Sequence, residues 1–357
     1  MAKILIARLG ALGDILHALP AVTAIRATFP DWTIGWLVEE RWTELLTARG
    51  SKPSPEAVSP QKPVANLIHT VNTKRWRQNA LYHGTLREMR GTRRRVYDLH
   101  YDVALDFQGA IKSAVLVKFS GARVTAGFVD PREPAARFFY SQKFSRAGDH
   151  VIEQNHALAA QALKPYLDGR ELPLLPPSLP CDPAAEAWAK AEITRLGIAS
   201  YAILNPGAGW GGKQWPAERF GAVAQAFAKH NLKSLVNAAP GEEALAQAVI
   251  DASGGHAFPV SCSIGQLIEL TRRARIFIGG DTGPLHLAAA LEVPAVGLFG
   301  PTDPTRTGPF SPKAVALRHP ESKTTSSHHR RPDVGLLKIE ADEVIGAARH
   351  LLGGGRG

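Results

Sequence analysis

The chain has 357 residues, 45% of them hydrophobic and 21% charged, which is the balance of a globular protein with room for two cores. Its formal net charge of +10 implies an anionic partner, and nucleic acid, an anionic membrane or a phosphorylated substrate all satisfy it. Only Cys181 and Cys262 carry thiols, which excludes a disulfide framework or a cysteine metal site and fits a reducing cytoplasmic compartment. The start, Met1-Ala-Lys-Ile-Leu-Ile-Ala-Arg8, reads as no signal peptide. The most apolar region, 284–300, is broken by His286, Glu292 and Pro294 and is not expected to cross a bilayer.

Lys3-Ile-Leu-Ile-Ala7 predicts a buried parallel strand, followed by a turn at 9–14 and a helix from Ile15 to about Phe29. Thr33-Ile-Gly-Trp-Leu-Val38 and Tyr101-Asp-Val-Ala-Leu-Asp-Phe107 predict further strands. This alternation is that of an open parallel sheet with helices on both faces. Between them, residues 73–95 hold eight basic side chains (Lys74, Arg75, Arg77, Arg87, Arg90, Arg93, Arg94, Arg95) against the single acid Glu88. Such a run is a solvated face or, with Trp76 inside it, a surface for something amphipathic.

Five prolines in 172–183 exclude helix and central strand and predict a linker, so the domains are expected at 1–175 and 176–340. After it the pattern resumes: helix 183–196, strand 201–205, helix 216–230, strand 233–237, helices 241–252 and 263–273, strand 275–278, helix 284–291 and strand 295–299. Residues 311–335 read as a mobile loop. A last amphipathic helix at 341–352 is expected to pack back toward the first domain, ahead of a disordered glycine tail. The fold class is α/β, two Rossmann-like domains facing a cleft, with ligands at the carboxyl ends of the strands.

Gly279-Gly-Asp-Thr-Gly-Pro-Leu-His286 carries the strongest chemical signal. An apolar strand ends in two glycines, and a helix opens at Gly283 with Pro284 where a missing N–H costs nothing. Free amides and the helix dipole make that end an anion site, or else it is an ordinary strand-to-helix turn. In the first domain Gly10-Ala-Leu-Gly-Asp14 lacks the Gly-x-Gly-x-x-Gly spacing of a dinucleotide site, and its acid would repel a pyrophosphate. Asp14 is a helix cap or a general base. Asn205-Pro-Gly-Ala-Gly-Trp-Gly-Gly-Lys213 places glycines and a mobile cation after a strand, without the Gly-Lys-Ser/Thr of a P-loop. Glu242 opens a helix, where it meets the dipole or grips a ribose. No metal-binding cluster is legible.

The chain resembles the ADP-heptose–lipopolysaccharide heptosyltransferases, glycosyltransferase family 9, and within them the enzymes that add the first heptose to the inner core. The resemblance rests on Gly13-Asp-Ile-Leu-His-Ala-Leu-Pro20, Trp36-Leu-Val-Glu-Glu40, Lys74-Arg-Trp-Arg77, Asp106-Phe-Gln-Gly-Ala-Ile-Lys-Ser113, Arg132-Glu-Pro134 with Phe139-Tyr140, Lys213-Gln-Trp-Pro216, Gly241-Glu-Glu243, Asp281-Thr-Gly-Pro-Leu-His286 and Gly300-Pro-Thr-Asp-Pro304. These run in the family's order over residues 1 to about 310.

The resemblance implies the glycosyltransferase-B architecture and inverting, metal-independent transfer of heptose from ADP-L-glycero-D-manno-heptose to Kdo of Kdo-lipid A. ADP-heptose is then a substrate, and no cofactor is expected. It makes Asp14 the base and Lys213 the residue that meets the departing diphosphate. Ala208, Gly209, Lys213, Glu242, Cys262, Asp281, Thr282, Gly283 and His286 fall on the donor side. Lys74, Arg75, Arg77, Lys112 and Arg132 face the acceptor's carboxylates and phosphates. A cytoplasmic enzyme peripheral to the inner membrane follows, with nucleic acid not expected as a partner. Two readings compete with it. One is a sibling using the same donor on another core or protein acceptor. The other is a basic nucleic-acid-binding protein without catalysis, for which no helix-turn-helix or base-stacking motif is present.

Overall fold

Why the chain begins with a strand is visible in its burial: four of the five residues of Lys3–Ala7 (β1) are buried, as a central parallel strand requires. The computed structural model describes every residue except 52–57, 80, 81, 326, 328–330 and 354–357, so most of the glycine tail and part of the 311–335 loop lie outside the described residues. The chain divides into two compact units, Met1–Cys181 and Asp182–Gly357.

In the first unit β1 leads into Leu12–Thr28 (α1), Thr33–Glu39 (β2), Leu67–Val71 (β3), Thr73–Gln78 (α2) and His83–Tyr97 (α3). Val103–Asp106 (β4), Ile111–Phe119 (α4), Val124–Phe128 (β5), Gln142–Phe144 (β6) and Val151–Leu163 (α5) complete it. The six strands are parallel, in the order β3-β2-β1-β4-β5-β6. Helices α1 and α5 pack on each other. Trp76, Val96 and Val117, from α2, α3 and α4, join Leu5, Leu37 and Ala104 of the sheet in one core cluster.

The second unit repeats the plan. Pro183–Arg195 (α6), Tyr201–Asn205 (β7), Ala217–Ala228 (α7), Lys233–Asn237 (β8), Glu243–Ala252 (α8) and Ala257–Val260 (β9) form its first half. Ile264–Arg273 (α9), Ile276–Gly280 (β10), Gly283–Ala290 (α10), Ala295–Phe299 (β11), Pro304–Thr307 (α11), Ala314–Arg318 (β12) and Ala341–Leu351 (α12) follow. Its strands are also all parallel, ordered β12-β11-β10-β7-β8-β9. One core lies under α7, α8 and α12, the other under α6, α9 and α10.

In each unit the strand order reverses beside the first strand, between β1 and β4 and between β7 and β10. Loops leaving such a pair diverge to opposite faces of the sheet and open a crevice at the strands' carboxyl ends. Register aligns Ala7 with Asp106 and Asn205 with Gly279, so the four functional turns begin level with one another within their own units.

Two expectations are corrected, and the last helix finds its core partners within its own unit. The proline-rich segment is extended, but it belongs to the first unit: Ser178 N donates to Thr23 Oγ1 (3.0 Å) and Cys181 N to the Pro60 carbonyl (2.8 Å). The unit boundary therefore falls at 181/182, six residues beyond 175/176, where Asp182 caps α6 with Pro183 at the first helical position. Residues 314–318, expected within a mobile loop, form edge strand β12 on β11. Helix α12 packs on α7 and on β11 and β12 of its own unit, because Val344, Ile345 and Ala348 complete that unit's core.

Candidate active site

Asp14 is the third residue of α1, where its Oδ2 accepts from Ala11 N (3.0 Å) and covers one of the amides a helix start leaves without a partner. Its Oδ1 lies 2.6 Å from Arg8 Nη2. Arg8 is buried and also donates to the Phe107 carbonyl, which ties the end of β1 to the end of β4. The carboxylate itself stays about one third exposed (37%).

The β4 turn that faces Asp14 across the switch point is held by Asp106, which is fully buried. It accepts from Gln108 N (2.8 Å), Gly109 N (3.1 Å), Ser113 Oγ (2.8 Å) and the Tyr140 hydroxyl (2.7 Å). Burial raises the Asp106 carboxyl above its ordinary value, and those four hydrogen bonds oppose the rise. Gln108 then accepts from Leu9 N (2.8 Å), passing the order of this turn to the loop before Asp14. Asp106 and Tyr140 were legible only as parts of motifs, and Arg8 gave no signal beyond a basic residue ending an apolar strand.

The cations expected to meet an acceptor lie in the segments that follow the carboxyl ends of β3, β4 and β5. Lys74, Arg75 and Arg77 are exposed on α2, whose start is capped by Asn72. Glu88 of α3 holds that helix by accepting from Trp76 Nε1 (3.0 Å) and pairing with Arg75 (3.2 Å). Lys112, in the first turn of α4, donates to Thr73 Oγ1 (3.2 Å), and Thr73 in turn donates to Glu39 at the end of β2. Arg132 follows β5. Its backbone N would sit 3.0 Å from a side chain at Gly109, whose φ of +65° already favours glycine.

In the second unit Lys213 Nζ lies 2.6 Å from Asp281 Oδ2 and 3.2 Å from the Asp281 carbonyl. His286 Nε2 lies 3.1 Å from Asp281 Oδ1. Burial works against ionisation of Asp281, but the hydrogen bond and charge of His286 together with the Lys213 ammonium outweigh it and hold the carboxyl well below its usual range. Lys213 approaches because Gly280 has no side chain; a Cβ there would stand 3.0 Å from the Lys213 carbonyl. Thr282 is the N-cap of α10 but turns its hydroxyl back to the Gly280 carbonyl (3.2 Å). The start of α10 is left without a side-chain cap: Pro284 has no N–H and the Leu285 and His286 amides bond to the Thr282 carbonyl, so the Gly283 amide is the one such a helix start offers an anion.

Glu242 stands at the N-cap position of α8 but turns its side chain back to accept from Ala239 N (3.0 Å), and its carboxylate lies directly over Gly207, where any Cβ would collide with it. Ala208 and Gly209 follow in the same loop, and a Cβ at Gly209 would meet open space. Beneath it runs a polar chain: Cys262 Sγ to Asn237 Oδ1 (3.8 Å), Asn237 Nδ2 to Asn205 Oδ1 (2.7 Å), Asn205 Nδ2 to the Gly207 carbonyl (3.0 Å). The two asparagines end adjacent strands, a placement that sequence spacing alone does not reveal. Among the described residues no three His, Cys, Asp or Glu side chains are grouped as a metal would require.

Twin Rossmann-type sheets with cation-bearing glycine turns at the switch point define a glycosyltransferase of the B-type fold. Residues 89–334 match Glycosyltransferase family 9 (heptosyltransferase), and the chain belongs to that family. It is 29% identical over 322 residues to lipopolysaccharide heptosyltransferase 1 of Pseudomonas aeruginosa, covering 88% of this chain and 83% of the relative. The same enzyme of Salmonella typhimurium is 28% identical over 351 residues, covering 96% and 99%. Among solved structures, the Escherichia coli heptosyltransferase WaaC with ADP superposes with a TM-score of 0.76 at 24% identity, over 98% of this chain and 99% of that one. A family 9 glycosyltransferase from Veillonella parvula gives a TM-score of 0.79 at 19% identity, over 98% and 97%. At those identities the structures speak for the fold.

Proposed function

We propose that this glycosyltransferase moves heptose from ADP-heptose to a Kdo hydroxyl of the lipid A inner core, with inversion and without a metal, at the cytoplasmic face of the inner membrane. The relatives named above are heptosyltransferases of lipopolysaccharide, which supports the donor and the acceptor class. The observation that carries the donor half is the Lys213–Asp281–His286 cluster beside the uncapped start of α10.

In this reading the ADP diphosphate rests on the amides at Thr282 and Gly283 and on Lys213, while Glu242 accepts from the ribose hydroxyls. Asp14 takes the proton of the acceptor hydroxyl as its oxygen bonds to the anomeric carbon. The bond from that carbon to the β-phosphate oxygen breaks on the opposite face, and ADP leaves with the electron pair. Such an in-line displacement inverts the centre. Lys213 and the helix dipole stabilise the charge that grows on the diphosphate, which is where preorganised positive groups contribute most. Lys74, Arg75, Arg77, Lys112 and Arg132 pair with the anionic groups of the acceptor.

Incubation with ADP-heptose and Kdo-lipid A, in buffer with and without chelator, tests the whole reading. It expects a glycolipid heavier by one heptose, equimolar ADP, and unchanged yield with chelator. Transfer only to a core that already carries heptose would replace the acceptor assignment with the sibling one.

A further inference from the structure

Outside the donor and acceptor residues, the first unit contains a cavity of about 230 Å³ between α3 and α4. Met89 and Val96 of α3, Leu116 and Phe119 of α4, and Leu37 of β2 line it, with Trp76 of α2 in its wall. Its rim is at the surface: Met89 is 39% exposed and Phe119 50%. Arg90 and Arg93 also stand at this rim, and the Arg93 guanidinium lies 5.2 Å over the Phe119 ring.

Positive charge in this protein is concentrated in the stretch 73–95, two of whose arginines, Arg90 and Arg93, stand at that opening. Residues 1–181 hold 24 lysines and arginines against 16 acids, while 182–357 hold 18 against 16. Within the first unit, 73–95 supplies eight of those cations and one acid, and the remainder is almost balanced. An apolar slot rimmed by arginines matches an amphiphile with a negative head. Its volume is that of roughly eight waters at about 30 Å³ each. That accommodates one segment of acyl chain and is too small for a helix of a partner protein.

We propose that this cavity takes an acyl chain of an anionic bilayer phospholipid while Arg90, Arg93 and their neighbours on α3 engage headgroup phosphates, so that the first unit docks on the membrane through α3 and α4. A single inserted chain anchors weakly and a polybasic patch alone is salt-labile, and the two signals together give stable attachment. The inference goes beyond the proposed reaction by naming the anchor, and it holds whichever sugar is moved.

The test uses the full chain and vesicles of phosphatidylcholine, alone or mixed with phosphatidylglycerol, the latter also with brominated acyl chains. Expected is co-sedimentation with the mixed vesicles only. Brominated chains should quench a tryptophan signal that disappears in Trp76→Phe. Met89→Ser with Phe119→Ser, both at exposed positions, should weaken vesicle affinity about tenfold while leaving transfer to a detergent-dispersed acceptor intact. Arg90→Gln with Arg93→Gln should reduce affinity and its salt sensitivity. Binding that survives the serine pair with Trp76 unquenched would reduce the arginines to a plain electrostatic surface and overturn the proposal, as would absence of vesicle binding. Failed sugar transfer with quenching and binding retained would remove the proposed reaction and leave the lipid site standing.

Discussion

Asp281 grips Lys213 twice, with its carboxylate at 2.6 Å and its own carbonyl at 3.2 Å, so the ammonium is fixed by the very turn that opens α10. The cation, the helix start and the carboxylate that orients them are thus held in one turn. Asp281 thereby acts through Lys213, its oxygens being shared between Lys213 and His286.

Asp281→Asn should leave a folded protein with a loosened Lys213. Turnover is expected to fall on the order of 10²-fold, the scale of losing a preorganised charge partner. ADP affinity measured by calorimetry should fall with it. Lys213→Met should cost more in stability, because it leaves an anion buried beside His286; breaking such a pair costs about 3–5 kcal/mol. Equal melting temperatures for the two variants would contradict this division of roles.

Asp14→Asn keeps the shape of the α1 start and removes the base. Turnover should drop by about 10²–10⁴-fold while ADP affinity stays as it was. Arg8→Met should lower turnover with little effect on donor binding, since Arg8 holds Asp14 and the β4 turn beside it. A loss of ADP binding in either variant would place these residues on the donor instead.

Gly207→Ala drives a methyl group into the Glu242 carboxylate. ADP affinity should weaken to about the level of Glu242→Gln, and combining the two should add little, as residues acting on one contact are not additive. Independent, additive losses measured by titration would mean that Gly207 serves the ligand directly.

Replacing Lys74, Arg75 and Arg77 with alanine should raise the acceptor KM and flatten its dependence on salt, leaving the donor KM unchanged. Exposed charges act through a screened field, so the effect should shrink at high ionic strength. A salt-independent loss would instead indicate damage to α2.

His69 of β3 gives a pH signature of the first unit. Burial, with the nearby Arg95 charge, lowers its imidazole from 6.5 to about 4, and its Nε2 lies 2.7 Å from the Tyr101 hydroxyl. Between those pH values the unfolded chain binds a proton that the folded one refuses. Stability should therefore be level above about pH 6.5 and fall as pH drops toward 4, by about 3 kcal/mol at the lower end. Urea midpoints across that range should track this slope, and His69→Gln should flatten it. Asp281 adds to the loss below that window: its lowered carboxyl stabilises the fold above the ordinary carboxylate value, and that stability is lost as the pH falls and it is protonated.

Much of this was written in the chain's local pattern. The apolar runs at 3–7, 201–205, 276–280 and 295–299 become buried central strands because parallel strands covered on both faces leave no alternation to misread. Elements at the margins were less legible. Pro259 disguises β9, tolerated because that strand is at the sheet's edge. β12 is only half-buried along its length. Helix α3 hides its apolar stripe among five arginines.

The sequence by itself determined the two α/β units, the glycine turns after their strands and the family they belong to, because strand and turn signals are local and the motifs are contiguous. Only the tertiary structure decided which side chains serve one another. Arg8 linking Asp14 to the Phe107 carbonyl, Asp281 holding Lys213, Glu242 lying over Gly207 and the asparagine pair beneath it each join residues from different turns. Their partnership exists because parallel register brings strand ends level and side by side, a relation that no spacing along the chain encodes.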